Sequence, residues 1–134
     1  MTVLITGSAG LVGHSVRRRL EADRVPVLPV DREARSYDGI DQMPCDITDR
    51  AAVAALFSRH QVTAVVHCGG VSGPMVSADD PRMIVDVNVG GTANLLDAAR
   101  RQQVSRFVYC SSIAAYGRTP PGRTAPPPSA TETV

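Results

Sequence analysis

Near the start of the chain, three glycines, Gly7, Gly10 and Gly13, fall between a short apolar run, Val3-Leu4-Ile5-Thr6, and a stretch of helical periodicity. This G-x-x-G-x-x-G spacing constrains the fold more than any other feature. A buried parallel strand ends at Gly7, a tight turn follows, and a helix opens where its free N–H groups and dipole favour an anion. The roles differ by position. Gly7 allows the turn, Gly10 lets the backbone approach a pyrophosphate, and Gly13 lets helix and strand pack closely. Ala9, Leu11 and Val12 complete the phosphate-facing turn. A chain that begins this way is expected to form a βαβ unit and to bind a dinucleotide.

Later segments extend the alternation. Val12, Val16 and Leu20 recur at helical spacing and predict the buried stripe of the first helix, with Arg17 to Arg19 outside it. Val25 to Val30 reads as a second strand made irregular by Pro26 and Pro29. Pro44 to Ile47 reads as a short third strand, and Thr48 as the cap of a helix carrying Val53, Leu56 and Phe57. Thr63 to His67 gives a fourth strand. Ser77 to Asp80 caps a long helix over 79–102, with Ile84, Val87, Gly91, Leu95 and Ala98 as its buried stripe, and Arg106 to Cys110 gives a fifth strand. The fold expected is α/β: a doubly wound Rossmann fold whose parallel sheet of five strands, ordered 3-2-1-4-5, is flanked by helices. Residues 1–117 form that domain. From Arg118 onward five of seventeen residues are Pro, so 118–134 reads as a tail, a linker or a polyproline ligand.

Composition narrows the function. Fourteen basic against thirteen acidic residues give a net charge of +1 with no basic stripe, which argues against nucleic acid as a partner. No apolar stretch approaches the ~20 residues of a membrane span, so a cytoplasmic location is expected. All fourteen basic residues are Arg, and this excludes any mechanism needing a titratable lysine from this stretch of chain. Cys45, Cys68 and Cys110 lie far apart in sequence with no C-x-x-C pair, so they read as reduced thiols; no metal site is expected. Asp31 closes the second strand 24 positions after Gly7, where a carboxylate accepts bonds from the adenosine ribose hydroxyls and repels a 2′-phosphate. NAD is therefore the expected cofactor, while Arg32, able to partner that phosphate, leaves NADP open.

Taken together, the glycine motif, Asp31, Cys45-Asp46-Ile47-Thr48-Asp49, His67-Cys68-Gly69-Gly70, Asn88-Val89-Gly90-Gly91-Thr92 with Asn94, and Ser111-Ser112-Ile113-Ala114-Ala115-Tyr116-Gly117 occur in one order. In that order they resemble the extended short-chain dehydrogenases/reductases, or NAD-dependent epimerases/dehydratases. The resemblance covers residues 1–117. It implies that Asp46 and Ile47 lie at the adenine and that Cys68, Gly69, Gly70 and Val71 line the cofactor. It places Ser111 beside the cofactor and makes Ser112 the catalytic serine, hydrogen-bonding the substrate oxygen. Gly69 and Gly70 depart from the family's usual H-x-A-A and are expected to widen the nicotinamide end. Asn88 either bridges the long helix to the catalytic region or satisfies a buried backbone group, and His67 orients backbone rather than moving protons.

The family's Tyr-x-x-x-Lys pair has no counterpart here, so the chain reads as the N-terminal part of a longer oxidoreductase. Its substrate is expected to be a small molecule: a sugar, a nucleotide sugar or a related hydroxyl or carbonyl compound. A stand-alone dinucleotide-binding or sensor module, and a partner chain supplying Tyr and Lys, stay open. The helix over 79–102 is the expected homodimer face.

Overall fold

A computed structural model describes residues 2–32, 34, 41–72 and 79–112. Five parallel strands lie in the order β3-β2-β1-β4-β5: β1 (Thr2–Thr6), β2 (Val27–Asp31), β3 (Met43–Pro44), β4 (Val62–His67) and β5 (Arg106–Tyr109). The connection from β1 to β2 runs one way across the sheet, and that from β3 to β4 runs the other. Right-handed crossovers then put α1 (Leu11–Ala22) on one face and α2 (Arg50–Arg59) and α4 (Thr92–Arg101) on the opposite face. The reversal of direction occurs between β1 and β4. In an open α/β sheet, the crevice for a ligand opens at the carboxyl ends of the strands at such a point.

The main core joins Leu4, Val30 and Val65 of the sheet to Val53, Leu56 and Phe57 of α2 and to Leu95, Ala98 and Ala99 of α4. Strand side chains alternate between faces, so Val3 and Ile5, also buried, face α1. Asp97 on α4 holds Arg50 of α2 at 3.2 Å, as well as Arg100 and Arg101. Pro29 sits inside β2 without cost. Pro26 and Val30 accept bonds from the β1 side and Asp31 from the β3 side, so Pro29, in phase with Asp31, directs its missing N–H toward β3, which begins pairing only at Val30.

Four expectations are corrected. The third strand is Met43–Pro44 rather than 44–47, because Asp46 leaves the ladder to form a turn in which its Oδ1 accepts from the Thr48 amide and hydroxyl. Thr48 is thereby engaged, and Asp49 caps α2 instead, accepting from Ala51 and Ala52. The helix over 79–102 is not one α-helix: α3 (Pro81–Val85) passes through a π-helical turn (Asp86–Gly91) into α4. On α1 the buried positions are Gly13 and Arg17, while Val12 is exposed and Val16 and Leu20 are half-buried. The close packing of Gly13 on the turn sets the phase of the helix and carries Arg17, one turn on, inward. The Arg17 Nε donates to Glu21 at 2.9 Å, and its two terminal nitrogens have no partner among the described residues.

No helix among the described residues is long and apolar enough to cross a membrane, and they include no cluster of three metal-ligating side chains. Tyr116, Gly117 and the tail 118–134 lie outside the described residues.

Candidate cofactor groove

The loops after β1 and β4 meet backbone to backbone. Gly7 has φ +68°, a left-handed conformation, and a Cβ built on it would lie 2.5 Å from the Gly69 nitrogen. A Cβ on Gly13 would lie 2.1 Å from the Gly7 carbonyl oxygen. These two glycines are thus demanded by the protein itself. Gly10 differs: its Cβ would meet only the Gly7 oxygen, at 3.3 Å, so the absence of a side chain there serves the open groove. α1 begins at Gly10 with no side-chain cap and no acidic residue in its first turn, which leaves its N-terminal amides to an anion.

Thr6, Gly7, Ala9 and Gly10 form one wall of a groove of about 860 Å³. Asp31 and Arg32 stand at its rim, Asp46 and Ile47 on its far side, and Cys68 to Val71 at the end of β4. Asp31 is oriented before any ligand arrives: Oδ2 accepts from the Ala9 amide at 3.0 Å and Oδ1 from its neighbour Arg32 at 2.8 Å. Each carboxylate oxygen keeps a second lone pair for a hydroxyl donor. The groove is of the size that holds small-molecule cofactors, roughly 300–1,000 Å³.

The helical run from Pro81 to Arg101 builds the rest of the frame, and it gives the Asn88-to-Asn94 motif a physical meaning. Asn88, in the π-turn, clamps Val71 from both sides: Oδ1 accepts from the Val71 amide at 2.8 Å, and Nδ2 donates to the Val71 carbonyl at 2.9 Å. Of the two roles open for Asn88, the bonds seen are those of the second, to the backbone amide and carbonyl of the half-buried Val71. Gly91 seats Ile47, whose side chain would be 2.6 Å from a Cβ there. Asn94 donates to the Ile47 and Thr48 carbonyls at 2.9 and 3.2 Å.

Thr92 completes a relay through the buried His67. Its hydroxyl donates to the Asn88 carbonyl at 2.6 Å, so it can only accept from His67 Nε2 at 3.0 Å. The His67 proton therefore sits on Nε2, and Nδ1 accepts from the Thr6 hydroxyl at 2.6 Å. Burial pushes the His67 pKa below its ordinary value, which keeps the ring neutral. His67 thus ties β1, β4 and the π-turn together and has no contact with the open groove that proton transfer would need.

Gly69 and Gly70 both line the groove, and both also lie close to protein atoms. A Cβ would press on the Gly7 nitrogen at 3.3 Å from position 69, and on Asn88 Oδ1 at 3.0 Å from position 70, so the pair permits close approach of backbone and clamp. Leu11 and Val12 are exposed at the head of α1, and neither they nor Asn88, Ser111 and Ser112 line the groove directly. Ser111 and Ser112 are exposed just past the end of β5. Sequence reasoning missed the buried Ser8–Gln42 hydrogen bond beneath the turn, since its partners lie 34 positions apart and neither belongs to a motif.

Comparison with known proteins accords with this geometry. The sequence profile of the NAD dependent epimerase/dehydratase family matches residues 3–133. UDP-glucose 4-epimerase of Mus musculus is 34% identical, over 86% of this chain and 38% of its own length. The crystal structure of Thermus thermophilus UDP-glucose 4-epimerase in complex with NAD superposes with a TM-score of 0.83 at 32% identity, covering 96% of this chain and 45% of that one. The UDP-glucose-4-epimerase of Stenotrophomonas maltophila, solved with NAD and formylated UDP-arabinopyranose, gives 0.77 at 30% identity, over 89% of this chain and 39% of its own. The chain thus spans about two fifths of the length of the relatives it matches. With the glycine turn, Asp31 and the sheet order all in place, the chain belongs to the NAD-dependent epimerase/dehydratase family.

Proposed function

We propose that residues 1–117 bind NAD and form the cofactor-holding part of an enzyme that acts on a hydroxyl-bearing carbon of a nucleotide sugar. One observation carries this reading: an uncapped helix N-terminus behind a glycine turn and a preoriented Asp31 open into the same groove. The amides at the head of α1 would face the pyrophosphate past Gly10, whose own amide is held by the Gly7 carbonyl, and Asp31 would accept the ribose hydroxyls. Asp46 and Ile47 would flank the adenine, and Cys68 to Val71 the opposite end. NAD, when bound, supplies a hydride acceptor. Ser112, past the end of β5, would hydrogen-bond the substrate oxygen.

The curated relatives named as UDP-glucose and UDP-glucuronate 4-epimerases, and the neighbour solved with a UDP-pentose derivative, support a UDP-sugar as substrate. Segment 118–134 would lead into the substrate-binding region. Val85, Val89 and Leu96, exposed on the outer side of the helical run, favour a homodimer through it. We place the protein in the cytoplasm.

Gly10→Val separates binding from folding, because Gly10 lines the groove and a Cβ there would press on protein only at the Gly7 carbonyl oxygen, 3.3 Å away. In a fluorescence titration, NADH should bind the native chain and fail to bind the variant, with the same far-UV circular dichroism for both. Equal affinity would overturn the assignment.

A further inference from the structure

β4 and β5 are adjacent parallel strands in which His67 and Tyr109 are register partners. The residue that follows each strand is a cysteine. The Cys110 amide still donates to the His67 carbonyl at 3.0 Å, so the two backbones have not yet diverged. Neighbouring strands lie about 4.8 Å apart, inside the roughly 4.4–6.8 Å of Cα separation that a disulfide spans. The two side chains also point to the same side, with Cys68 Sγ 3.4 Å from Cys110 Sγ. Cys110 is exposed, Cys68 is half-buried at the groove, and Cys45, which borders the same groove, is buried in the core.

We propose that Cys68 and Cys110 form a dithiol site that reacts with a low-molecular-weight disulfide and closes to an intramolecular Cys68–Cys110 bond at the rim of the groove. The exposed Cys110 acts first. Its thiolate attacks one sulfur of the reagent, the reagent's S–S bond breaks, and one thiol leaves with the electron pair and takes up a proton. Burial, and next the contact with Cys110, push the Cys68 thiol up to about 12, so it rests protonated and does not compete for that first attack. Once Cys110 carries the mixed disulfide, Cys68 gives its proton to solvent and attacks the Cys110 sulfur, expelling the second thiol. Two protein thiols are oxidised and one reagent disulfide is reduced to two thiols. The proposal rests on the pairing of β4 with β5 and not on the proposed function.

The test is incubation of the full chain with oxidised glutathione, followed by intact mass measurement, thiol titration and non-reducing peptide mapping. Trypsin cuts at Arg50, Arg59, Arg82 and Arg106 and so places the three cysteines in separate peptides. The expected product is a monomer lighter by two hydrogens, with one of three thiols left and the Cys68 and Cys110 peptides joined. Cys68→Ser should accumulate a glutathione adduct on Cys110, Cys110→Ser should give no cross-link, and Cys45→Ser should behave as the native chain. Retention of all three thiols, a lasting glutathione adduct on the native chain, or a cross-link between chains would overturn the proposal.

Discussion

Replacing Thr92 with valine keeps the shape of the side chain and its β-branch but removes one hydroxyl that serves two groups. That hydroxyl donates to the Asn88 carbonyl and accepts from His67 Nε2. His67 is 1% exposed, so water cannot take over as acceptor, and its N–H would be left buried and unpaired. Such a group costs about 1–3 kcal/mol. The Asn88 carbonyl is half-buried and recovers part of its loss from solvent. For a domain of this size 1 kcal/mol moves the midpoint by roughly 4 °C, so Thr92→Val should melt roughly 4–12 °C below the native chain. Thr92→Ser keeps the hydroxyl and should lose less than half as much. Thermal melts followed by far-UV circular dichroism measure both. A valine variant melting within about 1 °C of the native chain, or a serine variant equally destabilised, would refute the relay.

Two further outcomes follow from the same geometry. Asp31→Ala removes a carboxylate that would face a 2′-phosphate, so the ratio of NADPH to NADH affinity should rise about tenfold or more in paired titrations; an unchanged ratio would place the ribose elsewhere. For His67 the folded pKa lies below the unfolded value of about 6.5, so the unfolded chain binds the proton more readily. Stability should be level above that pH and fall as the pH drops below it, read as a declining urea midpoint; in His67→Gln this part of the decline should vanish.

The glycine turn was legible because its physics is local. One residue must take positive φ and another must lie against a backbone, and only glycine does both, so Gly7 and Gly13 announce themselves by spacing. The strands were legible as short apolar runs, of which β1 and β4 are the most buried. Arg17 was not, because hydrophobic periodicity assigns the apolar Val12, Val16 and Leu20 to the core. The phase of α1 is set instead by the contact of Gly13 with Gly7, which no periodicity encodes. The π-turn escaped for a related reason: the apolar stripe from Ile84 to Ala98 runs through it without a break in spacing. Asn88 and Asn94 stood out as motif members, but their partners, Val71 and the Ile47–Thr48 carbonyls, are backbone groups brought near only by the fold. The nearness of Cys68 and Cys110, 42 positions apart in sequence, became visible only once β4 and β5 were paired.

Amide chemical-shift mapping during an NADH titration tests most directly whether one groove, walled by the glycine turn and the end of β4 and rimmed by Asp31, holds NAD. Saturable shifts should concentrate at Gly7, Ala9, Gly10, Asp31, Ile47 and Gly69 to Val71, with α2 and the far end of α4 unmoved. Saturable binding whose shifts lie elsewhere, or no shifts at ligand excess in a folded chain, would contradict it.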